Sequence, residues 1–380
     1  MRVTNASTYR NFTSSVNNVH LALNKSMNKV SSGEAYERAS DAPLAYFEGK
    51  KIDGLYQDTL TKSALIKDIS NRIYQQELGA RTIQDIISSS GGAKNKVQFA
   101  ITDTTSDASL QTTMEDLLQK QQEVVDALNV QYSDYFVFGG NDYKNAPFSL
   151  EQTNDGPVLT YTHQFPGDAN PTEIKLPLKK GANGSYEFDL QPGSTEMQDI
   201  RRAMKEQGRI DIGYGTIFDH DTLLDTFTGG LNLLTGITSD AAASSNVSDQ
   251  DIIDKLNSSA FAVVAKATQY ISDYLNNKPT TADTNAAMDE KLRDVLVEMT
   301  GAEQTLSTVY SDLGNKYRLL ETTESRLKTK ADNLTKQYAD KLGADPYEAI
   351  MEMYNNNYAY NAALKVGSQL MSSSLFDFVR

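Results

Sequence analysis

The chain has 380 residues, 39% of them hydrophobic, and a mean hydropathy of -0.49, a balance that fits an elongated helical molecule better than a dense globular enzyme. Its formal net charge of -14 sets up a field that repels phosphate backbones and anionic headgroups, so nucleic acid is not an expected partner. Cysteine is absent, which excludes a disulfide framework, a thiolate nucleophile and a cysteine zinc site, and no apolar run approaches the roughly 18 residues that span a bilayer, so no membrane insertion is expected.

Up to Gly33 the chain carries Arg2, Arg10, Lys25 and Lys29 but no Asp or Glu. That composition is compatible with a transit peptide, but the segment is also patterned. Phe12, Val16, Val19, Leu23, Met27 and Val30 recur at steps of three or four, one apolar stripe on an otherwise polar helix. Two readings of the stripe stand: an ordinary helix packed on its own domain, and a seam that seeks another helix. The first thirty residues hold no hydrophobic block of signal-peptide type, so no cleaved secretory signal is expected.

Ser40 or Asp41 followed by Pro43 is a helix start. The helix runs to about Ile87 on Ile52, Leu55, Ile66, Ile69, Ile73, Ala80, Ile83 and Ile87, and "SSSGG" at 88–92 interrupts it. Another helix, from about Ser109 to Val130, carries Leu110, Met114, Leu117, Gln121, Val124 and Leu128 on one face. The next passage, "YFVFGGNDYKNAPF" at 135–148, breaks the helical pattern. Tyr135, Phe136 and Phe138 read as part of a strand held between a helical stem and an insert. Gly139 and Gly140 turn the chain outward, and Pro147 with Phe148 marks entry into the insert. Strand-like alternation follows in "EIKLPL", "YEFDL" and "RIDIGY", separated by Pro166-Gly167-Asp168, Gly181–Gly184 and Pro192-Gly193, with one helical piece from about Thr195 to Gln207.

On the return, a helix is expected from about Asp249 to Leu275, then a long one from about Ala286 to Leu342. In the latter, Leu292, Val295, Met299, Ala302, Leu306, Val309, Leu313, Tyr317, Leu320, Leu327, Leu334 and Tyr338 hold a heptad-like register. Gly301 and Gly314 inside it suggest close approach to a neighbouring helix or a slight bend. Asp345-Pro346-Tyr347-Glu348 is a further helix start, with Asp as N-cap and Pro in the first turn. A second narrow stripe follows on Ile350, Met353, Asn357, Tyr360, Leu364, Gly367 and Met371, continuing to Leu375. At roughly 25 cal/mol per Å² one narrow seam does not offset about 1 to 2 kcal/mol of ordering per residue. Both ends are therefore expected to be soft alone and firm on association. The composition divides the chain into terminal helices (1–39 and 345–380), a helical stem (40–147 and 229–344) and a β-rich insert (148–228).

Little here suggests catalysis. The three histidines, His20, His163 and His220, share no helical metal-ligand spacing. "FDHD" at 218–221 reads as a solvated acidic turn, and neither G-x-S-x-G nor H-E-x-x-H occurs. No catalytic residue, cofactor or metal is assigned.

The ends of the chain resemble the flagellin-like proteins of the bacterial flagellum. The resemblance lies in "MRVTNASTYRNF", in "VSSGEAYERASDAPLAYFEGKKI" at 30–52 and in "DLGNKYRLLETTESRL" at 312–327. Within that family "YFVFGGNDYKNAPF" and the ending "SLFDFVR" are similar to the subunits of the hook–filament junction. The resemblance covers roughly the first 150 and last 100 residues and does not extend to the insert. It implies a mainly α fold, an elongated coiled-coil stem built from both termini with an inserted β-rich domain. It also implies an extracellular, non-enzymatic adaptor exported through the flagellar apparatus without a cleaved signal peptide. The partners it implies are copies of itself in a ring, hook-associated protein 1, flagellin and an export chaperone. The two seams, Phe12, Val16, Val19, Leu23, Met27 and Val30 with Tyr360, Leu364, Met371 and Leu375, would then form the assembly interface. Alternative readings are a filament subunit, a secreted surface enzyme with its site in the insert, and an unrelated cytosolic coiled-coil scaffold.

Overall fold

The computed structural model describes residues 2–101, 106–142, 144–153, 156–206, 209–211, 223–225, 228–277 and 283–378, and the side chains of 2–6, 8, 209–211, 223–225, 283–285 and 370–378 are not among those described. "FDHD" at 218–221 and the second half of "RIDIGY" thus lie outside the described residues.

Helices α1 (Arg2–Ser32), α2 (Pro43–Ser88), α3 (Ala93–Ala100) and α4 (Asp107–Leu128) come first. The two-residue strands β1 (Gln131–Tyr132) and β2 (Tyr135–Phe136) follow, then β3 (Phe148–Thr153), β4 (Gly156–His163), β5 (Thr172–Lys180) and β6 (Tyr186–Phe188). Helix α5 (Thr195–Met204) precedes β7 (Arg209–Asp211) and β8 (Leu223–Asp225), and the chain ends on α6 (Gly230–Thr235), α7 (Ser239–Ala243), α8 (Asp249–Asn257), α9 (Ala260–Asn276), α10 (Asp283–Leu342) and α11 (Pro346–Phe378). The fold is mainly α, with long terminal helices and a small strand-containing middle. Packing groups it into two compact units, Ile66–Thr323 on one hand and Met1–Leu65 with Glu324–Arg380 on the other. These boundaries fall at other places than the changes in composition.

The core of the 66–323 unit is built on a four-stranded antiparallel meander in the order β3-β4-β5-β6. Alternation turns Leu159, Tyr161 and His163 of β4 and Ile174, Leu176 and Leu178 of β5 inward. Helix α9 buries almost its whole first three turns, from Ala260 to Thr268, so it is a central element. Tyr186 and Phe188 of β6 meet Tyr270 and Phe261 of α9, with centroids at 5.3 and 6.5 Å. The sheet and the helices around it therefore share one core. In α10, Leu292, Val295, Met299, Ala302, Leu306, Leu313, Leu320 and Leu334 of the heptad series are buried, whereas Val309, Tyr317, Leu327 and Tyr338 are only half-buried.

Several sequence expectations need correction. The helix expected over 249–275 breaks at Ser258-Ser259, where the Ser259 hydroxyl caps α9 by accepting from the Ala262 amide. Only Tyr135 and Phe136 of the expected 135–138 strand pair, with Tyr132 and Gln131 in a short hairpin. Strands β3 and β4 and helix α3 lie outside the elements that the sequence predicts. Asn154-Asp155-Gly156 is a hairpin signal that marks the two strands. A Cβ added at Gly301 would meet nothing within 4 Å, so no neighbouring helix approaches it, whereas a Cβ on Gly314 would lie 3.3 Å from the Glu77 carboxylate.

In the other unit, the links between helices run side by side. The Ala35 amide donates to the Leu342 carbonyl at 2.6 Å and the Ala344 amide to the Gly33 carbonyl at 2.9 Å. Gly33 takes a positive φ of 70° as it ends α1. The expected N-cap of α11 forms, with the Asp345 carboxylate accepting from the Tyr347 and Glu348 amides at 2.9 and 3.3 Å.

Candidate functional site

Two places collect the residues singled out by the sequence. The first is the terminal helix pair. Helices α1 and α11 run antiparallel: Lys29 Nζ lies 3.0 Å from Glu352 Oε2, the Asn356 side-chain amide donates to the Ala22 carbonyl, and the His20 and Tyr360 rings are 5.4 Å apart. Further along, Phe12 sits on the backbone of α11 at Gly367, where a Cβ would come within 2.5 Å of its ring. This is close helix approach of the kind only glycine admits.

The pair covers only part of each seam. Phe12, Val16 and Val19 are half-buried and Leu23 is buried, but Met27 and Val30 are exposed. On α11 the face toward α1 is Ala349, Met353, Asn356, Tyr360, Ala363 and Gly367. The stripe read from sequence mixes that face with another, since Ile350 and Leu364 are exposed. The side chains of Met371 and Leu375 lie outside the described residues.

Among the described residues, the buried apolar side chains of this unit are Leu23, Ala331, Leu334, Leu342 and Ala349. A buried leucine contributes about 1.5 to 3 kcal/mol, and ordering each residue costs about 1 to 2 kcal/mol, so three leucines and two alanines are a small core for four helical segments. Much larger apolar area stays in water: Leu44 is 72% and Tyr358 79% exposed, and Leu21, Phe47 and Tyr354 are nearly as open.

The second place is the passage at 135–148, within the 66–323 unit. Phe138, Pro147 and Phe148 are buried, and Tyr135 and Phe136 are half-buried. Gly139 and Gly140 turn the chain, Gly140 with φ 66°. The Asp142 carboxylate organises this turn by accepting from the Lys144, Asn145 and Gln164 amides. Phe138 lies against Gly79 of α2, and Phe148 against Gly230 of α6 and the Tyr161 ring. Arg72 stacks over the Tyr135 ring at 4.3 Å. Burial, the largest influence, pushes the Tyr135 hydroxyl above its ordinary value against the opposing charge of Arg72.

Two polar side chains that the sequence reading does not single out pin this passage. Gln76, 2% exposed, donates from Nε2 to the Val137 and Thr228 carbonyls at 3.0 and 3.2 Å and accepts from the Thr228 amide at 3.3 Å. It thereby ties the outgoing and returning chains to α2, and the Gly230 amide donates to the Phe138 carbonyl between them. Asn129 exchanges two bonds with the Phe148 backbone, at 2.9 and 2.6 Å. Gln76 occupies an apolar step in the series Ile66, Ile69, Ile73, Ala80, Ile83, Ile87. A polar residue in a core register is the signal that marks it.

His163, isolated in the sequence, is buried with Glu206 and Tyr161. Its Nε2 lies 3.0 Å from Glu206 Oε2 and its Nδ1 3.2 Å from the Tyr161 hydroxyl. Burial, with Glu206 and Asp142 adding negative charge, pushes the Tyr161 hydroxyl strongly up, so it stays a neutral packing and hydrogen-bonding group. Among the described residues, no cluster of three or more His, Asp or Glu side chains could hold a metal ion.

No family model and no curated protein matches the chain. Among solved structures it is similar to a protein of Vibrio parahaemolyticus assigned as flagellar hook-associated, with a TM-score of 0.48, 10% identity, and coverage of 80% of this chain and 100% of that one. FlgL of Bacillus cereus gives 0.42 and 14%, over 77% of this chain and 100% of that one. FlgL of Xanthomonas campestris gives 0.43 and 11%, over 76% and 99%.

Proposed function

We propose that the chain is a structural subunit of the bacterial flagellum, an adaptor of the hook-associated protein 3 type that joins the hook-associated protein 1 layer to the flagellin filament. The carrying observation is the unit formed by the chain ends, which buries five apolar side chains among its described residues and leaves a larger set of Leu, Phe, Met and Tyr in water. Such a unit gains its core by packing against other subunits. The signatures at 1–12, 30–52, 312–327 and 135–148 supply the flagellar context, and those at 135–148 and the ending favour the junction over the filament. On this reading the segments 1–39 and 345–380 form the inner assembly domain, 40–147 and 229–344 the stem, and 148–228 an outward insert. The Phe12–Val30 and Tyr360–Leu375 seams pair first within one subunit and complete their burial in a ring of copies. The subunit works outside the cell after export with a chaperone.

The test is genetic and microscopic. In a strain lacking this chain, hooks should form but stay bare, with flagellin shed into the medium. Filaments of normal length would refute the proposal, and loss of the filament without shed flagellin would make this chain the filament subunit itself.

A further inference from the structure

Helix α11 has two apolar faces on opposite sides. At 3.6 residues per turn, Ala349, Met353, Asn356, Tyr360 and Gly367 fall on the side that α1 covers. Tyr347, Ile350, Met351, Tyr354 and Tyr358 fall on the far side, and all five are exposed. A short stripe in α2 of the same compact unit has a comparable form: Leu44, Phe47 and Leu55 share one exposed face, with Lys51 in its middle. The two stripes match in length, each spanning twelve residues or about 17 Å at 1.5 Å per residue.

Their charges also match. Lys51 interrupts the α2 stripe, and Glu348 flanks the α11 stripe. Among the described residues, neither the Lys51 ammonium nor the Glu348 carboxylate has a hydrogen-bond or ion-pair partner, although Lys50, Glu48 and Glu352 around them do. If the stripes are laid antiparallel, with Leu44 against Tyr358 and Leu55 against Tyr347, Lys51 falls opposite Met351, one turn from Glu348. Parallel alignment places Lys51 opposite Tyr354, away from Glu348. Exposed apolar area comes close to what a specific contact needs. A tyrosine offers about 150 to 250 Å², so the eight apolar side chains together present on the order of 1,000 Å², near the lower bound of roughly 1,200 Å² for a specific interface.

We infer that the Tyr347–Tyr358 face of α11 in one copy docks antiparallel on the Leu44–Leu55 face of α2 in the next, with Glu348 paired to Lys51. Because the two faces differ, the contact is head-to-tail, and repeating it builds a ring or a helical array in place of a closed pair. This inference deepens the assembly role proposed above and rests on it.

The test uses the full chain, with self-association followed by sedimentation velocity over a concentration series and helical content checked by circular dichroism. Lys51→Glu and Glu348→Lys should each weaken self-association roughly tenfold or more by setting like charges face to face, at unchanged helical content. Mixing the two variants, or combining them in one chain, should restore it. Self-association of Lys51→Glu equal to that of the parent chain overturns the contact, as does a parent chain that remains single at its solubility limit, or single variants that weaken association with no recovery in the double. Filaments of normal length in the deletion strain would end the flagellar reading separately, while leaving a charge-swap result in solution standing.

Discussion

Gly79 lies inside α2, where replacing glycine by alanine ordinarily stabilises a helix by about 0.5 to 1 kcal/mol. At this position the added methyl would sit 2.6 and 2.8 Å from Cε2 and Cζ of Phe138. Phe138 is wholly buried, so its ring has no room to retreat, and overpacking of this kind costs about 1 to 3 kcal/mol. The steric term exceeds the helix-propensity gain, and Gly79→Ala should lower the stability of the 66–323 unit by about 1 kcal/mol. Gly301→Ala is the matched control. It also lies in a helix of that unit, but its methyl would meet nothing within 4 Å, and it should raise stability by about 0.5 to 1 kcal/mol. The decisive arm is Phe138→Leu, which removes the two atoms the methyl would strike. On that background Gly79→Ala should change sign and stabilise. Urea unfolding followed by far-ultraviolet circular dichroism measures all four variants. A Gly79→Ala chain as stable as Gly301→Ala, or one still destabilised on the Phe138→Leu background, would refute the packing of Phe138 against α2.

Gln76→Leu should cost about 1 to 3 kcal/mol, because it strands the buried Val137 carbonyl and the part-buried Thr228 carbonyl. Native-state hydrogen exchange should then show faster exchange at Thr228, whose amide loses its acceptor. Asp345→Ala removes the acceptor for the Tyr347 and Glu348 amides and should destabilise the start of α11 by about 1 kcal/mol. The loss should be read as proteolysis after residue 345 and should be absent in Asp345→Ser. For pH dependence, hydrogen bonding from Arg201 holds the Asp249 carboxyl below its ordinary 3.8, aided by the Gly193 amide and opposed by burial. A lowered folded-state value means that the pair's contribution is fully present above about pH 4 and is lost as pH falls below that. Arg201→Gln should therefore lower stability at neutral pH and flatten its fall in acid. An unchanged acid slope would show that the pair does not contribute.

Element type was largely legible in the sequence because burial on one face imprints its period on the residues. The heptad series in α10 and the isoleucines of α2 predicted which faces are buried. Asp345 with Pro346 predicted where α11 begins, and these are local effects needing no partner. The glycine pair at 139–140 likewise fixed where the chain turns. What escaped was everything set by the meeting of distant segments. Nothing near Gln76 says that its amide bridges Val137 and Thr228, and nothing near Asn129 says that it clips Phe148. His163 gives no hint of Glu206, 43 residues away.

The terminal seams show the same division. Periodicity alone established that residues 12–30 and 350–371 carry apolar stripes, and composition alone set the acidic field and ruled out cysteine chemistry. Tertiary structure decided which side of each stripe is used up within the chain, placing Phe12 over Gly367 and leaving Tyr347, Tyr354 and Tyr358 of α11 in water. A period records how often a helix presents an apolar residue, whereas the extent of burial depends on how near another backbone comes, and that distance is a property of two segments at once.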